Sequence, residues 1–275
     1  IYVVLSKTTL QDIMLGSNSY LIECSSNSLL RIAESNIKNS NLIRPRPKKY
    51  TPELIVITGS TLEISKTIFE RENSLIASNK ATITLSEVLI KDQTKDDSYS
   101  GRRLLSIIQS RLILKDLEIE NQFEETQLEF NDIWLFARSS QLEIHGLHMD
   151  KARGKTGTFL DLGDSTLDAE GLKLEYLEYG PQSVIFTIER GSQITISNTT
   201  LTTGDNIMRI SDVIQLELNL INMTLIPGAA SLGLEIINVR KTTIEGCKFK
   251  YKGINPLETF ILGEKLGAQF TLKDN

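Results

Sequence analysis

Two cysteines in 275 residues exclude a disulfide-dense scaffold. Six prolines exclude a collagen-like or proline-rich stalk. No apolar run reaches the length of about 18 residues that marks a membrane helix. Basic residues are not in surplus: the net charge is -5, which argues against a nucleic-acid-binding rod and against a polybasic membrane binder. No glycine-rich phosphate loop occurs. Aromatics are scarce at 6%. What remains is a folded composition, 40% hydrophobic and 24% charged, too apolar for a disordered chain. The first residue is Ile1, and no signal-peptide pattern follows it, so the compartment is not legible at this end.

An eight-residue frame recurs along the whole chain. Apolar or small residues occupy its first, third, sixth and eighth positions. Copies start at Val3, Leu30, Leu62, Ile83, Leu112, Leu142, Leu167, Ile194, Leu216, Thr242 and Phe270. The cleanest read Leu112-x-Leu114-x-x-Leu117-x-Ile119 and Leu142-x-Ile144-x-x-Leu147-x-Met149. Others place Ser35, Thr67 or Thr199 at the sixth position. First and third residues share one side of a strand, as do sixth and eighth. The two residues between them shift the phase, so the chain must bend for both pairs to face one interior. The fifth position carries that bend. Asp116, Gly146, Gly171, Asn198, Gly246 and Asp274 suit it, being types that tolerate positive φ. Lys7, Glu34, Lys66, Glu87 and Leu220 do not, so the bend need not be identical in every turn.

A further short strand precedes most frames. Its predicted inward pairs are Leu54/Val56, Trp134/Phe136, Leu160/Leu162, Phe186/Ile188, Met208/Ile210, Leu234/Ile236 and Phe260/Leu262. Three strands per repeat describe one coil of a solenoid, which buries its apolar face by stacking. The asparagine ladder of leucine-rich repeats is absent, propeller blades are longer, and helical repeats need a 3.6-residue period. The expected fold is all-β: a single right-handed parallel β-helix of about eleven coils. It covers residues 1–275 as one domain and is expected to continue beyond both ends of this chain.

These frames resemble pectin-lyase-like right-handed parallel β-helices. The abundance of Ile, Asn, Ser and Lys resembles that of the large β-helical surface or secreted proteins of ciliated protists. The resemblance implies a polysaccharide-acting site only where signature residues are present. The Asn-Thr-Asp, Asp-Asp, Gly-His-Gly and Arg-Ile-Lys signatures of β-helical polygalacturonases are absent, and Ile144-His145-Gly146-Leu147-His148 does not replace them. The acidic calcium site and arginine base of pectate lyases have no counterpart either.

Outward positions of the frame supply the candidate chemistry. Stacking places Glu143 beside Asp168 and His145 beside Glu170. Paired carboxylates on one face are the minimum for glycoside hydrolysis, so Glu143, Asp168 and His145 form the alternative catalytic cluster. His145-x-x-His148 has no third ligand in sequence, and Asp161-x-x-Asp164 lacks calcium-loop spacing. No metal and no cofactor is expected. Cys24 and Cys247 lie too many coils apart for a disulfide and read as core thiols.

Loops leave each coil at one corner, where solenoids usually place function. Residues 38–53 contain the basic, extended Arg44-Pro45-Arg46-Pro47-Lys48-Lys49. Residues 120–132 carry Glu124 and Glu125 among other carboxylates. Arg44, Arg46, Lys48, Lys49, Glu124 and Glu125 are therefore the candidate partner-binding residues. Asn198-Thr199-Thr200 and Asn222-Met223-Thr224 are glycosylation sequons. The expected function is a non-enzymatic rod in an extracellular or cell-surface assembly. It would bind protein partners or neighbouring copies, with glycan possible and no nucleic acid. The alternative is a lyase or hydrolase of polysaccharides.

Overall fold

The structure, a computed structural model, describes residues 1–11, 14–15, 20–38, 41–42, 54–70, 74–91, 103–120, 131–150, 156–177, 184–191, 193–203, 206–225, 233–251, 261–266 and 269–273. Among these residues every regular element is a strand, and every strand pairing is parallel. The chain is a parallel β-helix built on two long sheets, of 15 and 10 strands.

The first sheet is made by the frames. Val3 pairs with Leu30 and Leu30 with Leu62. The column continues through Ile83, Leu112, Leu142 and Leu167, then Ile194, Leu216, Thr242 and Phe270. Every frame start thus falls in one register. The third positions form a second column beside it, and the sixth and eighth line the sheet after the bend. Leu112, Leu142 and Leu167 are all buried, as are Leu114, Ile144 and Ala169. Parallel strands buried on one face by their own neighbours need no second chain to close the core.

The bend is the same at every described fifth position. Lys7, Glu34, Lys66, Glu87 and Leu220 all take φ between 47° and 52°, in the same left-handed region as Asp116, Gly146, Gly171, Asn198 and Gly246. The backbone explains why the strain is tolerated. Each corner N–H still reaches a carbonyl on the next rung: Lys7 to Ala33, Glu34 to Ser65 and Lys66 to Ser86, at 3.0–3.1 Å. The ladder fixes the conformation, and an ordinary L-residue accepts a cost of about 1–2 kcal/mol at such a site. Leu220 is exposed and buries little. Leu220→Asn is therefore expected to stabilise the chain by up to about 1 kcal/mol, read as a higher urea midpoint; an unchanged or lower midpoint would contradict the strain at this corner.

The second sheet stacks the short strands. One inward column runs Ile22, Ile55, Ile76, Leu105 and Leu135, then Leu160, Phe186, Met208, Leu234 and Ile261. The predicted pairs Leu160/Leu162, Phe186/Ile188, Met208/Ile210 and Leu234/Ile236 are buried. Three predicted pairs are one residue out of phase. Ile55 and Ile57 take the inward columns, with Leu54 buried beside them and Val56 facing out, and Leu135 and Ala137 replace Trp134 and Phe136. Ile261 and Gly263, not Leu262, continue the columns, and Phe260 lies outside the described residues. The cause is a corner where two successive residues turn inward. Leu54, Leu75, Leu104 and Phe159 are buried although each directly precedes an inward residue. A period-two reading started from those residues selects the wrong face.

A second set of left-handed residues closes the corner between the two sheets, including Lys80, Gln109, Ser139, Asp164 and Arg190. A buried serine follows several of them. Ser110 N–H donates to Ser140 Oγ at 3.2 Å, and Ser140 N–H donates to Ser165 Oγ at 3.0 Å. Each hydroxyl donates in turn to a carbonyl two residues back: Ser110 to Ile108, Ser140 to Arg138 and Ser165 to Gly163. This serine column satisfies backbone groups that the corner takes out of the ladder. The sixth frame position uses the same bond, with Ser35 donating to Ala33 O, Thr67 to Ser65 O and Thr199 to Ser197 O. Polar residues are accepted there because each hydroxyl finds a carbonyl.

Candidate functional site

The catalytic alternative lies on the outward face of the first sheet. Strands Gln141–Asp150 and Thr166–Leu177 pair in parallel, and the register sets Glu143 opposite Asp168 and His145 opposite Glu170. The expected juxtaposition therefore exists. Its surroundings give it other partners. Arg111, on the preceding rung, reaches diagonally to Glu143 Oε1 through Nε at 3.1 Å and Nη2 at 2.7 Å. His145 Nδ1 stands 4.0 Å from Glu170 Oε2, and Asn198 Nδ2 donates to Glu170 Oε1 at 2.9 Å. Arg111 was not foreseen as part of this group. It sits one residue ahead of the frame, and diagonal pairs two residues out of register are within reach of a long side chain.

Asp168 and Glu170 are exposed, and Glu143 and His145 partly so. These side chains stand on a strand face in water, where an ion pair stabilises little. Chemically, the group can bind a polar or charged surface. A general acid would need a carboxyl held protonated by burial, and these carboxylates are solvated.

The other acidic candidates are neutralised across rungs. Arg138 donates to Asp161 Oδ1 at 2.8 Å, and Arg190 donates to both oxygens of Asp164 at 3.0 and 3.3 Å. His148 lies in register with Glu118 and Lys173. Among the described residues no group of three or more His, Cys, Asp or Glu side chains could hold a metal ion.

Arg138 belongs to a second cluster, built around Phe136, which the sequence pattern paired inward with Trp134. Phe136 points out of the second sheet, with the guanidinium carbons of Arg103 and Arg138 lying 3.4 and 4.2 Å from its ring centroid. Both cations are within reach of the π-system of the ring. Arg138 lies flat across Gly163, where a Cβ would come within 2.8 Å of its side chain. Arg138 also donates to the carbonyls of Ala137 and Asp161.

The candidate partner-binding residues Arg44, Arg46, Lys48, Lys49, Glu124 and Glu125 lie outside the described residues. Both sequon asparagines are described and exposed. Asn198 stands at the bend, and Asn222 faces outward in register with Thr200 and Lys248. Among the described residues no helix is long and apolar enough to cross a membrane.

Both cysteines are free thiols, Cys247 buried and Cys24 half-buried. Cys247 sits at the sixth frame position, with Sγ 3.6 Å from Glu245 O, in the place serine and threonine take elsewhere. Burial pushes its thiol pKa up, so the reactive thiolate is scarce in the folded chain. Iodoacetamide is expected to label Cys24 at least about tenfold faster than Cys247, read by peptide mass spectrometry, with the difference vanishing in urea. Equal rates without urea would contradict the burial of the tenth frame. No protein-family model matches the chain, and no curated protein matches it.

Proposed function

We propose that this chain is a non-enzymatic structural and interaction rod within a large extracellular or surface-associated assembly. It holds protein partners or neighbouring copies through loops at one corner. The observation that carries this reading is the single register that runs from Val3 to Phe270, with the frame starts from Leu30 to Thr242 buried. Such a coil cannot bend at one rung without breaking the ladder above and below it. Loops inserted at successive corners are thereby held at fixed spacings of about 4.8 Å per rung. The resemblance to pectin-lyase-like β-helices and to protist surface proteins belongs to this proposal, as do glycans on Asn198 and Asn222, whose exposure supports it.

One observation favours a second reading, a polysaccharide hydrolase or lyase: the register of Glu143 with Asp168. The bond from Arg111 to Glu143 and the open face weigh against it. Cross-linking mass spectrometry of the chain on its native cells, together with a polysaccharide cleavage assay, separates the two. The rod reading expects cross-links to concentrate at residues 39–53 and 121–130. It expects them to fall when Arg44, Arg46, Lys48 and Lys49 become glutamate. Cleavage that disappears in Glu143→Gln and Asp168→Asn would sink it in favour of the enzyme.

A further inference from the structure

The apolar core cannot specify which rung follows which. Leu30, Leu62, Ile83 and Leu112 are near-equivalent lining residues in one column, and a strand that paired with the next rung but one would bury the same kind of surface. The charged columns are not equivalent. In the column after the eighth frame position, Lys38, Glu70, Lys91 and Glu120 follow one another on successive rungs. Lys38 Nζ is 2.9 Å from Glu70 Oε2, and Lys91 Nζ is 3.3 Å from Glu120 Oε2. The bend column alternates in the same way, Lys7, Glu34, Lys66, Glu87, with Lys7 Nζ 3.8 Å from Glu34 Oε2.

We infer that this alternation of sign is a rung-order code for the five rungs from Val3 to Leu112, which selects their native succession against pairings that skip one. The arithmetic of a skip is direct. Seating the Ile83 rung on the Leu30 rung brings Lys91 against Lys38 and Glu87 against Glu34. Seating the Leu62 rung on the Val3 rung brings Lys66 against Lys7. Seating the Leu112 rung on the Leu62 rung brings Glu120 against Glu70. Like charges directly opposite on parallel strands repel, whereas over these five rungs the native order pairs opposite signs; beyond them the column carries Glu120, Asp150 and Glu175 in succession, so the alternation ends at the Leu112 rung. The exposed pairs add little to native stability; their effect falls on the competing arrangements. This assignment concerns assembly of the fold and stands whether or not the rod binds partners.

The test uses two variants of the whole chain. In the neutral variant, Lys7, Glu34, Lys38, Lys66, Glu70, Glu87, Lys91 and Glu120 all become glutamine, which leaves the net charge unchanged because four cations and four anions are removed. In the inverted variant each of these lysines becomes glutamate and each glutamate lysine. All chains are refolded by dilution from urea at low salt, and native monomer is separated from misfolded and aggregated product. The neutral variant is expected to raise the misfolded-to-native ratio about tenfold while its urea midpoint changes little. The inverted variant, which restores alternation with every sign reversed, is expected to return within about twofold of the parent chain, and salt near 1 M is expected to make the parent chain resemble the neutral one. A neutral variant that refolds as the parent does, or an inverted variant that refolds as badly as the neutral one, would overturn the inference.

Discussion

Replacing Leu142 with alanine is expected to lower stability by about 2–5 kcal/mol, read as a shift of the urea unfolding midpoint. Leu142 is 1% exposed and lies in register between Leu112 and Leu167, both buried. The ladders on either side hold the three rungs at fixed spacing, so the column cannot collapse into the space left by the side chain. The cavity penalty adds to the lost transfer energy and places the cost toward the upper part of the range. Ile113, on the same rung as Leu112 but half-buried and outward, is the control: Ile113→Ala is expected to cost under about 1 kcal/mol. A solenoid couples nearest neighbours most strongly. Hydrogen exchange in Leu142→Ala should therefore accelerate most on the rungs starting at Leu112, Leu142 and Leu167. A Leu142→Ala loss no larger than that of Ile113→Ala would contradict the inward column.

The second large effect is expected from a serine. Ser140 is 3% exposed, accepts the Ser110 N–H and donates to Arg138 O. Alanine is close in size, so packing survives, but the Ser110 N–H is left in the interior without its acceptor. An orphaned buried donor costs about 1–3 kcal/mol, more than the net value of the bond itself. Ser140→Ala should lower the urea midpoint accordingly and speed exchange of the Ser110 amide. Ser86→Ala, on the outward face of the Ile83 rung, should stay within about 0.5 kcal/mol of the parent. Equal effects at the two serines would mean that the hydroxyl column is decorative.

The columns of the first sheet were legible because strand alternation leaves an unmistakable pattern when the same two pairs recur around a bend. The bend itself was only half legible. Lys66 and Glu87 carry no sign of positive φ, because the ladder through the corner N–H imposes it from outside. Trp134 and Phe136 were read as an inward pair from alternation, yet Leu135 and Ala137 take the inward register and Phe136 lies against two arginines. Leu54 misled in another way: it is buried, but at a corner where the next residue is buried too. The serine column did have a signal. Ser60, Ser110, Ser140 and Ser165 each stand two residues before a frame start, a regularity hidden by beginning the frame at its first apolar residue.

For the candidate site, the neighbours Glu143–Asp168 and His145–Glu170 followed from frame position alone, since register transmits directly into outward ladders. Arg111 did not, because a diagonal contact depends on side-chain length and direction rather than on register. Outward charges occur at nearly every rung, and their pairing across rungs accounts for them as well as any chemistry would.

Distances along the rod axis test the stacked coil most directly. With Cys24 and Cys247 replaced by serine, spin labels at the outward positions 63 and 168 are four rungs apart, and labels at 63 and 217 are six. Pulsed electron paramagnetic resonance should give narrow distributions that grow in proportion to rung number, near about 19 Å and about 29 Å at about 4.8 Å per rung. Broad distributions, or a 63–217 separation no longer than that of 63–168, would contradict the stacked coil.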